Sequence, residues 1–350
     1  MNLDNLPVFK EIDRSNMLAE IQGLSGQLTN AWELGKGYGN PLSKKITSLV
    51  IAGMGGSAMG ADLMASYVAP ICPIPIHILR DYRLPFWAKG SDVLVVASSH
   101  SGNTEETISV YQQALEKKCS LMVITTGGKL AKKAQENSLP LWTFTHHGQP
   151  RAAVGFSFGL SLALVMKLGL IPDQDASMES AVKAMKKLQE SIDVNVPVKK
   201  NTAKRMAGQL MNRWVTVIGA DYLCPVARRY KTQINELAKA WAQFEFFPEF
   251  DYNTLAGIEK SEEVLSKIFV LFLSASSDHP RNQLRTRLTH EELLRAGITT
   301  DVLKFEEVNP LAEIWTSLLF GDFLSYYLAI AYQIDPTPIN AIQSLKKSMQ

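Results

Sequence analysis

Residues 93–107, VLVVASSHSGNTEET, change character twice within one short stretch. VLVVA is short, β-branched and continuously apolar, which reads as a strand buried on both faces. EETISVYQQALEKK reads as a helix, with Glu105 and Glu106 near its positive end. Between the two sit Ser98, Ser99, His100, Ser101, Gly102, Asn103 and Thr104. One hydroxyl suffices to cap a helix, and a single cap leaves the others unexplained. Hydroxyls and helix N–H groups together supply the donors that phosphate oxygens accept from. Ser99, Ser101 and Thr104 are therefore candidate phosphate ligands, with capping alone as the plainer reading.

Upstream, SLVIAGMGGSA (48–58) is strand, glycine turn and helix start. Gly55, Gly56 and Ser57 stand where a backbone can approach an anion at a helix N-terminus; a purely structural turn is the alternative. Ala58 and Met59 follow Ser57, so the Lys-Ser/Thr of a nucleotidase phosphate loop is missing. A dinucleotide fingerprint wants an acidic residue about twenty positions on; Asp81 comes later than that and supports it weakly. IPIHIL and SLMVITT add further strands separated by helical or loop segments. Such alternation predicts a parallel sheet covered on both faces, with ligands at the carboxyl ends of its strands.

The pattern restarts in the second half. SLVIAGMGGSA corresponds to VTVIGADYLCP, and VLVVASSHSGNTEE to VLFLSASSDHPRNQ, as two copies of one α/β unit. The second copy has replaced both loops and carries Asp278, which repels a phosphate. Residues 176–209 are polar and helical with a break near NVPVKKN, which places the domains at 1–195 and 196–350.

The chain has 350 residues, 46% hydrophobic and 20% charged, with a net charge of +2. That is an ordinary globular composition with room for two domains, and it indicates neither a nucleic-acid nor a membrane partner. Cys72, Cys119 and Cys224 show no paired spacing, and the first residues show no basic-then-apolar pattern, so a reducing, cytoplasmic location is expected. VGFSFGLSLALVMKLGLI is interrupted by Gly, Ser and Lys and reads as a buried helix rather than a membrane span. No histidine pair has helical metal-ligand spacing, so no metal site is expected.

GMGGSAMGADL with SHSGNTEET resembles the sugar isomerase (SIS) domain family. PRAAVGFSFG, YKTQINELAK, FPEFDYNTLAG and DPTPINAIQSLKK resemble, more narrowly, its bifunctional phosphoglucose/phosphomannose isomerase branch. The resemblance implies an α/β fold of two SIS-type three-layer α/β/α domains, each with a mainly parallel sheet. It implies aldose–ketose isomerisation of glucose 6-phosphate or mannose 6-phosphate to fructose 6-phosphate, through an enediol and without a cofactor. Gly55, Gly56, Ser57, Ser99, Ser101 and Thr104 would hold the substrate phosphate. Arg151 would stabilise the enediolate, Glu236 would be the base, and Lys346 would reach the ring oxygen, with Lys347 its near competitor. From the residues alone, Arg151 reads equally as a surface arginine, and Glu236 as a solvated helical glutamate paired with Lys239.

One position departs from the branch. Sixteen residues after the base, where the branch has a ring-opening histidine supplied by the other subunit of a homodimer, this chain has Tyr252. An ordinary imidazole titrates near ~6.5 and a phenol near ~10. A non-catalytic or altered-specificity SIS-type sugar-phosphate-binding protein is therefore the alternative reading. His146 and His147, just before GQPRAA, are the histidines best placed to approach Arg151; His100 is expected to point away from the phosphate.

Overall fold

The structure, a computed structural model, describes residues 2–42, 44–259 and 262–349. The chain forms two compact units. The first is Gly23–Glu179; the second joins Met1–Gln22 to Ser180–Gln350.

In the first unit the strands are β1 (Ser48–Ala52), β2 (Ile76–Leu79), β3 (Val93–Ser99), β4 (Ser120–Thr125) and β5 (Leu141–Thr143). They form one five-stranded sheet in the order β2-β1-β3-β4-β5, every neighbour parallel. All residues of β1, β3 and β4 are buried, which is why their sequences are continuously apolar instead of alternating. The chain leaves β1 for β2 on one side and returns to β3 on the other. The strand order thus reverses between β1 and β3, and the carboxyl ends of these two strands flank the switch point.

The second unit contains β6 (Trp214–Gly219), β7 (Ala242–Phe246), β8 (Ile268–Ala275) and β9 (Thr299–Phe305). Their order is β7-β6-β8-β9, again all parallel. This repeats the first sheet without its last strand, as the internal repeat in the sequence leads one to expect. The edge strands β5 and β7 lack an apolar signal and are not legible beforehand: β7 is AQFEF, of which Ala242 alone is buried.

The core of the second unit is the helix Pro310–Ala331, buried at every residue from Leu311 onward. It is long and apolar enough to cross a bilayer, but its apolar surface is wholly enclosed by protein. The helix Val154–Lys167 of the first unit is likewise buried along most of its length.

The unit boundaries differ from the single one expected after residue 195. The divisions fall after Gln22 and after Glu179, the latter inside the helix Asp175–Ile192. The N-terminal segment belongs with the second unit because its apolar side chains pack there. Phe9 lies 6.0 Å from the ring of Tyr326 and 6.3 Å from that of Tyr327. The Lys204 ammonium, 5.9 Å over the Phe9 ring, also donates to Asp4 at 3.2 Å. A polar linker marks a boundary in sequence; apolar packing decides it in space.

One ion pair sits inside the second unit's core. Arg229 donates through Nε (3.0 Å) and Nη2 (2.8 Å) to the two oxygens of Asp322, and both side chains are almost fully buried. Removing one partner of such a pair strands the other charge in a low-dielectric interior. Arg229→Met is expected to lower stability by about 3–5 kcal/mol in urea unfolding, and adding Asp322→Leu to recover most of that. A single variant as stable as wild type would show that the pair does not hold the core.

Candidate functional site

The loops after β1 and β3 leave the sheet side by side, because Ala52 and Ala97 are paired in register. The helix Gly55–Val68 follows the first and Glu105–Glu116 the second. Neither N-cap residue, Met54 or Thr104, makes a side-chain capping bond. Thr104 instead shares a 2.8 Å hydrogen bond with Ser99. The Ser99 hydroxyl also accepts from Gly102 N–H at 3.1 Å. Ser57 is nearly buried and its Oγ accepts from the His100 N–H at 3.1 Å, which ties the first loop to the second. Ser101 is exposed and accepts from Asn103 N–H at 3.2 Å.

Two glycines are needed for this geometry. Gly102 has φ +65°, and a Cβ there would lie 1.8 Å from the carbonyl oxygen of Gly127, so the loops after β3 and β4 interlock backbone to backbone. At Gly56 a Cβ would stand 2.3 Å from the carbonyl oxygen of Pro150 and 3.2 Å from Arg151 Cα. The turn Pro150–Ala152 thus lies directly on the first glycine loop.

Arg151, within that turn, is 4% exposed. The surface-arginine reading therefore does not describe it. Gln27, which no sequence signal singled out, clamps the same turn: its amide donates to Ala152 O at 2.9 Å and accepts from Gly155 N–H at 2.8 Å. His100 points at His146, with Nε2 and Nδ1 3.0 Å apart. Burial, reinforced by His146, pushes the His100 imidazole down to about 4, so it is neutral at pH 7. His147 is exposed.

Glu236, in the second unit, sits in the last turn of the helix Cys224–Leu237 and is half-buried. It lines a cleft of about 560 Å³ together with Asn235, Lys239, Asp335, Pro338 and Asn340. The Lys239 ammonium donates to the carbonyl oxygens of Glu236 (2.6 Å), Leu237 (3.2 Å) and Pro336 (3.2 Å). It caps the helix end and fixes the chain that opens the cleft's far wall.

Tyr252 is 75% exposed, with the Arg285 guanidinium 5.6 Å over its ring. Lys346 and Lys347 lie on the helix Asn340–Ser348, whose first residue borders the cleft and whose later residues are exposed. Within its unit the structure therefore gathers Glu236, Lys239 and Asp335, while Tyr252 and Lys346 stand on exposed surface. Asp278, in the loop after β8, is buried; its carboxylate accepts from Ala275 N–H at 2.8 Å. Burial, with Asp221 and Glu313 nearby, pushes it up to about 7.

Residues 199–349 match the family described as bacterial phospho-glucose isomerase C-terminal SIS domain. The chain is 38% identical over 337 residues to the bifunctional phosphoglucose/phosphomannose isomerase of Caldicellulosiruptor bescii, covering 95% of this chain and 98% of that one. It is 30% identical to the enzyme of the same name from Aquifex aeolicus, over 86% of this chain and 90% of that one. Among solved structures, the C-terminal domain of glucosamine-fructose-6-phosphate aminotransferase from Francisella tularensis shares the fold. Its TM-score is 0.72 at 13% identity, over 92% of this chain and 98% of that one. With near-complete coverage at that level of identity, the chain belongs to the bifunctional phosphoglucose/phosphomannose isomerase family.

Proposed function

We propose that the protein is a sugar-phosphate aldose–ketose isomerase, converting glucose 6-phosphate or mannose 6-phosphate to fructose 6-phosphate through a cis-enediolate without a cofactor. The observation that carries this reading is the pair of helix N-termini without side-chain caps, set beside the Ser99–Thr104 hydroxyl pair at the switch point of the first sheet. Family membership over nearly the whole chain supports the reaction class.

In this reading Gly55, Gly56, Ser57, Ser99, Ser101 and Thr104 hold the phosphate. Ser99 and Thr104 share one hydrogen bond, which uses one of their two hydroxyl protons, so the other proton is left for the ligand. Amides and hydroxyls bind the dianion here without a fixed cation. Arg151 stabilises the negative charge that develops on the enediolate oxygens, where a buried guanidinium acts most strongly. Glu236 removes the C2 proton of the aldose and returns it to C1. Lys346 serves the ring oxygen. Tyr252 takes the place of the ring-opening histidine and donates a hydrogen bond across a homodimer contact. The protein is read as cytoplasmic.

These roles separate in kinetics followed by glucose 6-phosphate formation from fructose 6-phosphate. Glu236→Gln is expected to lower kcat by about 10²–10⁴ with little change in KM. Wild-type turnover in that variant would remove Glu236 as the base. Thr104→Val is expected to raise KM about tenfold, since it deletes a phosphate donor bound in ground and transition states alike; an unchanged KM would leave the hydroxyl pair a purely structural role. Tyr252→His is expected to raise kcat about tenfold near pH 7, where an imidazole can exchange its proton. A rate unaffected by that change would show that ring opening does not pass through this position.

A further inference from the structure

The loop after β8 is the second repeat's counterpart of the loop after β3. It too presents serine hydroxyls and backbone amides at the carboxyl end of a buried strand, but these donors are taken. Glu313, 1% exposed, accepts through Oε1 from Ser276 N–H (2.9 Å) and from the Ser276 hydroxyl. Through Oε2 it accepts from Ser277 N–H (3.3 Å) and from the Ser277 hydroxyl. Two amides and two hydroxyls thus converge on the two oxygens of one carboxylate, the donor set that a bound anion requires.

The carboxylate arrives from the long buried helix. Glu313 is the third residue after Pro310, in Pro-Leu-Ala-Glu. In the first repeat the turn that leads into the buried helix Val154–Lys167 is Pro-Arg-Ala-Ala, and the third residue after Pro150 is Ala153. The first repeat carries a methyl group where the second carries an acid. The helix Pro280–Arg295, next in the chain, also meets an internal carboxylate: Asp221 accepts from His279 N–H at 2.7 Å and from the Asn282 amide at 3.1 Å.

We propose that Glu313 is an internal ligand filling a second anion cradle of the SIS kind, so that the chain keeps one open anion site rather than two. The Ser276–Ser277 cradle, once vacated, takes a small monocarboxylate in preference to phosphate. Asp221 and Asp278 border it, and nearby carboxyl groups oppose the double charge of a phosphate dianion more strongly than the single charge of a monocarboxylate.

The test is chemical rescue of Glu313→Ala in the full chain, since the lost atoms correspond to acetate. The variant is expected to melt about 5–10 °C below wild type in sodium chloride. Sodium acetate at equal ionic strength restores at least half of that loss. Inorganic phosphate restores less, each shift being read as variant minus wild type so that binding at the first repeat cancels. Melting equal to wild type, acetate no better than chloride, or phosphate better than acetate would each overturn the proposal. Should Glu313→Ala not fold, Glu313→Gln decides: it keeps the shape and removes the charge, and is expected to melt several degrees below wild type. A glutamine variant that melts as wild type does would show that the cradle does not hold an anion.

Discussion

The parallel pairing of β1 with β3 is the constraint on which the first unit's loop geometry rests. Parallel neighbours end at the same edge of the sheet, so the register that sets Ala52 against Ala97 delivers both following loops to one place. The strand order reverses there, and the two loops are joined across that point by the His100 N–H bond to Ser57 Oγ. The pairing can be held this firmly because every residue of β1 and β3 is buried. A slip of register would move the apolar side chains and both loops together. The glycines then let the remaining pieces close in: the loops of β3 and β4 touch through backbone at Gly102, and the arginine turn rests on Gly56.

The second sheet has the same strand order for its four strands, and its loops have been put to other use. Where the first repeat leaves hydroxyls paired with each other, the second directs them onto Glu313. Three carboxyl groups, Asp221, Asp278 and Glu313, now border that end of the sheet, and Asp278 is pushed up to about 7 as a consequence of burial and of its two acidic neighbours. Duplication thus preserves the backbone frame while the electrostatics of the loops diverge. In the first repeat the loop hydroxyls meet each other; in the second they meet a carboxyl group.

Apolar runs were the readable elements, whether buried on both faces or, like β2, at a half-exposed edge. β1, β3, β4 and β8 stand out as apolar runs, and the hydroxyl loop between β3 and its helix is compositionally unlike either neighbour. The edge strands β5 and β7 are half-exposed and lose that signal. The allegiance of residues 1–22 was illegible for another reason: it depends on Phe9 meeting Tyr326 and Tyr327, more than three hundred positions away. The site shows the same division. The loop residues stand out by their own composition. The burial of Arg151, the Gln27 clamp and the His100–His146 bond all depend on partners distant in sequence. Which of the hydroxyls would cap the helix was likewise open in the sequence; no capping bond falls to Thr104, whose hydroxyl meets Ser99.

Glu236 poses an electrostatic problem that its neighbourhood answers. It lies in the last turn of the helix Cys224–Leu237, where carbonyl groups without intrahelical partners give the helix end a partial negative charge. A carboxylate is disfavoured there by the same interaction that favours one at a helix start. Lys239 meets this directly. With φ of +54° it leaves the helix in a left-handed turn that carries its ammonium back onto the carbonyl oxygens of Glu236 and Leu237. The cation therefore meets the partial negative charge of the helix end. Its third bond, to Pro336 O, ties the segment leading to the C-terminal helix to the same point. One lysine thus caps the helix end and ties it to the opposite wall of the cleft.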